Sequence, residues 1–478
     1  MASTAAPVPL ALNARSRLVL FVLCAAQFAV ALDFSILNVA LPVLGADLGL
    51  SQANLQWGVT AFALPSGGFL LLFGRIADLY GRRRLFLAGL AVFTASSVLA
   101  TLAWDPASFL AARALQGVGA SMIVPAGMSL LTTTFREGPE RDKALGISGM
   151  LLSLGFTAGM LLGGVLTQGL GWRSTMALNV LMGAAVLAGA PRLLTESRLP
   201  ERPKVDVPGA VTITGGLLAL IYSLSTAAQA GFGRTDVIAT LVAGPVLLAA
   251  FAVIESRTAQ PLVSLRVLRR RTVAWGNIGG LVTFSMMSAV IFLTTLYLQQ
   301  VLDLSPGASG LVFGVVGLAA AFGGTVAPKV VGRLGAHRTL VAGLLIQAIC
   351  TAAIIAVGAG GAWLVLVAGS VACFGHLWAI VAYSITATSG LADEEQGLAT
   401  GLVTSTQQVG LTIGIPLLSA VAAGRIDSLK SAGHGFAEAT LGGVRLGLAT
   451  DAVIVTAVAA LVALGLGAWR RTPKGQLS

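Results

Sequence analysis

Apolar residues in this chain run nearly unbroken for about 17 to 29 positions at a time, with short polar segments between the runs. A helix needs roughly 20 such residues to cross the hydrocarbon layer of a bilayer. Fourteen runs therefore predict fourteen spans, at 18–43, 55–73, 85–103, 107–132, 145–167, 175–194, 209–228, 237–254, 273–299, 308–331, 339–358, 363–387, 397–423 and 446–469. The polar segments carry a directional signal as well. With the N-terminus in the cytoplasm, 24 of the 30 Lys and Arg residues fall on the cytoplasmic side, against five outside: Arg173, Arg234, Arg425, Lys430 and Arg445. Short cytoplasmic loops are the ones that accumulate Lys and Arg, so both termini are expected in the cytoplasm.

Composition agrees with lipid as the solvent. Charged residues make up 10% of the chain, against about 25% in soluble domains, and mean hydropathy is +0.88. The net charge of +11 does not describe a nucleic-acid surface, because the basic residues recur in small clusters between spans rather than on one face. Cys24, Cys350 and Cys373 all lie in apolar runs and are read as small packing residues. Arg15 and Arg17 precede an apolar run too long for a cleavable signal, so the first helix is expected to stay in the membrane.

The chain also repeats itself. Gly81-Arg82-Arg83-Arg84 and Ala88-Gly89-Leu90 return 254 positions later as Gly335-Ala336-His337-Arg338 and Ala342-Gly343-Leu344, at matching helix ends. Repeated halves are a habit of transporters. The expected organisation is a six-helix bundle over 1–200, two inserted helices with linkers over 201–260, and a second six-helix bundle over 261–478.

Two charges break the apolar pattern. Asp33 lies well inside the first run, and Arg113 is the one basic residue that falls neither in a loop nor at a helix end. An ionisable group at that depth costs at least ~2.5–3.5 kcal/mol and marks a cavity, a partner charge or a proton path. Their depths are similar, so the two could share a cavity, either as a proton-coupling pair or as a structural ion pair. Arg113, Gln116, Gly117 and Ala120 share one helical face. Asn38, Gln116, Gln299, His376, Gln407 and Gln408 are candidates for lining a central path. Asp451 is read as interfacial and Glu255 as solvated at a helix end.

Gly74-Arg75-Ile76-Ala77-Asp78-Leu79-Tyr80-Gly81-Arg82-Arg83-Arg84, between the second and third spans, resembles the loop signature of the major facilitator superfamily, G-x-x-x-D-x-x-G-R-[RK]-[RK]. Positive-inside bias accounts for the arginines but not for Asp78 and the two glycines. Asp33 with Asn38-Val39-Ala40-Leu41-Pro42, the Arg113-Ala114-Leu115-Gln116-Gly117-Val118-Gly119 stretch, Gln396-Gly397 and Tyr297-Leu298-Gln299-Gln300 are similar to motifs of its fourteen-helix drug:proton antiporter family. Gly155-Phe156-Thr157-Ala158-Gly159-Met160-Leu161-Leu162-Gly163-Gly164 resembles that family's antiporter signature, with Met160 where the proline belongs. Gly155, Gly159 and Gly163 still share one face and permit close helix packing.

The resemblance implies an all-α integral membrane protein of the major facilitator fold, with two six-helix halves and two linking helices. It further implies a monomer in the bacterial cytoplasmic membrane that exports small amphiphilic drugs or antibiotics in exchange for protons. Gly74, Asp78, Gly81, Arg82, Arg84, Gly155, Gly159 and Gly163 would then serve conformational gating. A proton-coupled importer or facilitator on the same fold is the alternative. With no G-x-x-x-x-G-K-[ST], no H-E-x-x-H and no Cys–His cluster, no enzymatic reaction, metal or cofactor is expected; the proton gradient is the energy source.

Overall fold

The computed structural model describes residues 13–50, 54–135, 139–196, 206–231, 233–258, 265–356, 361–391 and 393–467. Among these there is no strand. The chain forms α1 (Ala14–Leu48), α2 (Trp57–Gly68), α3 (Leu70–Tyr80), α4 (Arg82–Thr101), α5 (Pro106–Thr134), α6 (Pro139–Leu170), α7 (Arg173–Leu193), α8 (Val207–Ala230) and α9 (Thr235–Arg257). It continues as the short α10 (Leu265–Leu268), α11 (Arg271–Leu296) with a π-helical end (Tyr297–Val301), α12 (Pro306–Leu334), α13 (Ala336–Ile354), α14 (Ala362–Thr388), α15 (Asp393–Ser431) and α16 (Phe436–Leu466).

Thirteen of the described helices are long and apolar enough to cross a membrane. The remaining crossing is made by α2 and α3, so the span expected as one helix is broken at Phe69. Pro65 lacks an N–H to donate along the helix, and Gly67 and Gly68 are poor helix formers. The Phe69 N–H keeps the helical bond to Pro65 O but is shared with Gly67 O, and the regular pattern lapses at that one residue. By contrast α6, where Met160 stands at the proline position of the signature it resembles, runs without interruption from Pro139 to Leu170.

The two repeats pack alike. In the first, α1 lies on α6, α7 and α5, while α4 lies on α5 and α7; in the second, α11 lies on α15, α14 and α16, while α13 lies on α14 and α16. The α8–α9 pair packs on itself, and α8 also covers α2, α3 and α15. Gly68 is tight against Leu218 there.

Contacts between the halves gather away from the face that holds Asn13 and Gly467, called here the terminal face. Gly164 of α6 meets Gly310 of α12 so closely that a Cβ on Gly164 would lie 2.8 Å from Gly310 Cα. Gln299 Nε2 donates to Val39 O at 2.9 Å, and Ser305 Oγ to Gln168 Oε1 at 3.3 Å. Nearer the middle, Thr412 Oγ1 donates to Ala63 O at 3.2 Å. Toward the terminal face, Gly146 and Gly149 of α6 look onto open space, and Met150 and Leu154 are exposed.

The opposite face is pinned by Asp47 at the end of α1. It accepts from Trp172 Nε1 at 2.8 Å and Arg173 Nη1 at 2.6 Å, while Arg173 Nη2 reaches Ala103 O.

Candidate functional site

The α1 stretch around Asp33 is apolar on all sides, which buries it among α5, α6 and α7 rather than facing water. Asp33 and Arg113 are both 0% exposed. Arg113 Nη1 donates to Asp33 Oδ1 at 2.9 Å and to Oδ2 at 2.7 Å. Asn179 Nδ2 of α7 donates a further, short hydrogen bond to Oδ1. The guanidinium is held from three more sides. Nε donates to Gly58 O of α2 at 3.1 Å, Nη1 to Gln116 Oε1 at 2.9 Å, and its plane lies 4.5 Å from the Phe62 ring centroid. Gln116 Nε2 in turn donates to Ser97 Oγ of α4 at 2.8 Å. Five helices thus converge on one carboxylate.

A buried pair of this kind tolerates loss of water only while both charges keep their partners, since an orphaned charge there costs about 3–5 kcal/mol. Here the accounting is incomplete: Arg113 Nη2 and Asn179 Oδ1 are buried with no hydrogen-bond partner among the described residues. The cluster therefore holds a spare donor and a spare acceptor beside the ion pair.

Gly155, Gly159 and Gly163 set the distance between α6 and this turn of α1. A Cβ on Gly155 would stand 2.7 Å from Phe28 O, and one on Gly159 would stand 2.6 Å from Leu32 O. One on Gly163 would overlap Ile36 O. Gly164, one residue on, faces α12 of the other half. So α6 touches the acid-bearing helix with one face and the opposing half with the next.

The path-lining candidates separate. Gln116 belongs to the ion-pair cluster and is fully buried. Asn38 is buried, with Nδ2 donating to Phe34 O at 3.0 Å and Oδ1 unpartnered. Gln299 ties the halves together. Gln407 and Gln408 are half-buried on α15.

His376 is buried with a polar group in the second half. Thr283 Oγ1 lies 2.8 Å from both Gln347 Oε1 and His376 Nδ1. The hydroxyl has a single proton; donated to Gln347, it leaves Thr283 accepting from His376 Nδ1–H, with Nε2 the free nitrogen.

In the loop after α3, Gly81 has φ 115°, a conformation for which glycine is suited. Glu196, which follows α7, occupies the space a Cβ there would need: Oε1 would lie 2.7 Å from it. The same carboxylate accepts from the backbone N–H of Arg83 at 3.1 Å and of Arg84 at 3.3 Å, the open end of α4. Arg84 Nε is 3.8 Å away. Gly74 packs at ordinary distance on Pro125. Arg82 is half-buried, and the side chain of Asp78 lies outside the described residues.

Sequence reading missed Asn179 and Glu196, neither of which carries a motif. It also misplaced two acids. Asp451 is 0% exposed near the middle of α16 rather than interfacial, because α16 begins at Phe436, ten residues before the expected span. Glu255 is 3% exposed rather than solvated, because Gly209 of α8 packs closely on it.

Fourteen crossings, repeated halves meeting around a seam, and an ion pair sealed within one half define a multi-pass membrane transporter. The family model of the Major Facilitator Superfamily matches residues 23–415, and the chain belongs to that superfamily. It is 37% identical to the cephamycin export protein CmcT of Amycolatopsis lactamdurans, over 95% of this chain and 93% of that one. It is 36% identical to a puromycin resistance protein of Streptomyces alboniger, over 93% and 90%. Among solved structures, a bacterial homologue of the human lysosomal transporter Spinster, in an inward-facing unoccupied conformation, shares the fold. The TM-score is 0.66, with 17% identity over 97% of this chain and all of that one.

Proposed function

We propose that this protein exports small amphiphilic compounds, antibiotics among them, across the bacterial cytoplasmic membrane in exchange for protons, working as a monomer with both termini in the cytoplasm. The observation that carries this reading is Asp33, an acid held by Arg113 and Asn179 on the helix that α6 braces against the other half. The relatives named for export and resistance support a substrate of that class.

In the closed pair Asp33 is ionised and Arg113 neutralises it. Protonation removes the charge that holds Arg113 Nη1, and the guanidinium must then find other acceptors; Asn179 Oδ1 lies in the same cluster. The turn of α1 at Leu32–Ile36 is packed on the α6 glycines, so a shift of the pair moves α6 and its contact at Gly310. Alternating access then follows as rocking of one half against the other. The arrangement described here, with the halves joined away from the terminal face, supports a cytoplasm-facing state ready to take up cargo.

The test uses inside-out vesicles from an efflux-deficient host, with puromycin and a cephamycin as probes. Addition of a transported probe should release protons from vesicles loaded with the native protein and not from those with Asp33→Asn. Equal release from both would remove Asp33 from the scheme, and probe movement indifferent to the pH gradient would favour a facilitator.

A further inference from the structure

The second half holds a carboxylate that the scheme above does not use. Asp451 stands at the middle of α16, 0% exposed, and faces the Thr351 hydroxyl of α13. Neither of its oxygens completes a hydrogen bond among the described residues, and Thr351 Oγ1 is likewise unpartnered. Among the described residues of the helices packed on α16, no cation stands at its depth. From α11, between Thr272 and Leu296, there is no Asp, Glu, Lys, Arg or His; α13 offers Gln347, Cys350 and Thr351, α14 offers His376, and the π-helical end of α11 offers Tyr297. On α15 the charged Arg425, Asp427 and Lys430 lie at the end toward the opposite face. Arg445, on α16 itself, is exposed and six residues away, about 9 Å along the axis.

The position is not arbitrary. Thr351 is the repeat mate of Ser97, 254 positions on, and Ser97 is the hydroxyl that closes the Asp33–Arg113 cluster through Gln116. As α7 brings Asn179 into that cluster and packs on α4, so α16 brings Asp451 and packs on α13. One turn from Thr351 on the same face of α13 is Gln347, whose Nε2 is also buried and unpartnered. Gln347 continues through Thr283 to His376, which keeps 9% of its surface exposed. Three unpartnered polar groups in a row, continuing through Thr283 to His376, make a polar track leading away from Asp451.

We propose that Asp451 is a second proton-binding site, placed in the C-terminal half and loaded along the Thr351–Gln347–Thr283–His376 track. A carboxylate with no cation beside it, facing a single hydroxyl, is costly in a low dielectric. Binding adds one proton to one oxygen, changes no other bond and cancels that charge. As a proton site it stands by itself; as a step in transport it rests on the proton-driven reading, and would add a second proton to each cycle.

The ligand is the proton, so no substrate is needed for the test. Purified full-length protein is jumped from pH 6 to pH 9 and the protons released per chain are counted with an indicator dye. The variant Asp451→Asn should release one fewer than the native chain; equal counts overturn the proposal. Should the variant fail to fold, the native protein decides. Dicyclohexylcarbodiimide, which modifies protonated carboxyls in apolar surroundings, should mark Asp451 at pH 6 and less at pH 9. No adduct, or one that does not change with pH, overturns the site. Labelling is expected to persist in Asp33→Asn, so failure of Asp33 as the coupling acid and failure of Asp451 as a proton site are separate results.

Discussion

Arg113 reaches both carboxylate oxygens of Asp33 through one nitrogen, Nη1, at 2.9 and 2.7 Å, and leaves Nη2 buried without a partner among the described residues. This is not the two-pronged guanidinium–carboxylate fork that maximises hold. It is a pair with a donor in reserve, suited to exchange its partner.

The charges can be separated from the coupling by stability. Asp33→Asn strands a buried guanidinium and should lower unfolding free energy by about 3–5 kcal/mol. Adding Arg113→Met removes the stranded charge and should recover most of that loss, while proton-coupled transport stays absent in both. Denaturant unfolding in detergent checks this; a double variant no more stable than the single would mean that the stranded charge is not the source of the loss.

Gly159 tests the brace between α6 and α1. A Cβ would meet the Ser35 hydroxyl first and the backbone carbonyl Leu32 O at 2.6 Å next; the hydroxyl can rotate aside, the carbonyl cannot. Gly159→Ala should cost about 1–3 kcal/mol, as overpacking does, and slow transport. Gly146→Ala, where nothing lies within 4 Å, should change neither. Equal effects of the two substitutions would count against the brace.

Glu196 closes the N-terminal end of α4 by accepting from Arg83 and Arg84 N–H. Glu196→Ala exposes those amides, and their hydrogen exchange should accelerate more than that of amides in the middle of α4. Loss of a terminal cap of this sort is worth about 0.5–2 kcal/mol. Unchanged exchange would show that the loop is held by other contacts.

Asp105, outside the spans, caps α5 and exchanges hydrogen bonds with Ser108. Those bonds hold its carboxyl below the ordinary aspartate value, through the Ser108 side chain first and its backbone N–H second. A group depressed in the folded state contributes stability that is fully present above its unfolded value and is lost as pH falls through the folded one. Thermal unfolding of the native protein should therefore lose stability on acidification below about pH 4. In Asp105→Asn, which keeps a good cap but cannot titrate, that contribution should disappear; identical acid profiles would rule it out.

Much of this architecture could be read from residues because lipid imposes a simple rule: long apolar runs, basic loops, and a price on every buried charge. Asp33 and Arg113 stood out for that reason, and they do meet. The glycines at 155, 159 and 163 announced a close contact, though not that its partner would be the turn bearing Asp33. What could not be read depended on three-dimensional neighbours. Asn179 and Ser97 are unremarkable polar residues until five helices converge, and Glu196 sits in no motif. Asp451 was misplaced because a helix end was set ten residues late, and with it the depth of the acid. The break at Phe69 was written in Pro65, Gly67 and Gly68, but hydropathy alone runs straight across it.

The helix α8 lies over α2, α3 and α15, so it roofs one of the two seams along which the halves meet. The other seam, between α6 and α12, has no such roof among the described residues, and Leu311, Val315, Leu318 and Phe322 of α12 are exposed along its length. The protein consequently has unlike flanks. Acyl chains lap directly against the closed α6–α12 seam, whereas α8 stands between them and the seam on the other flank.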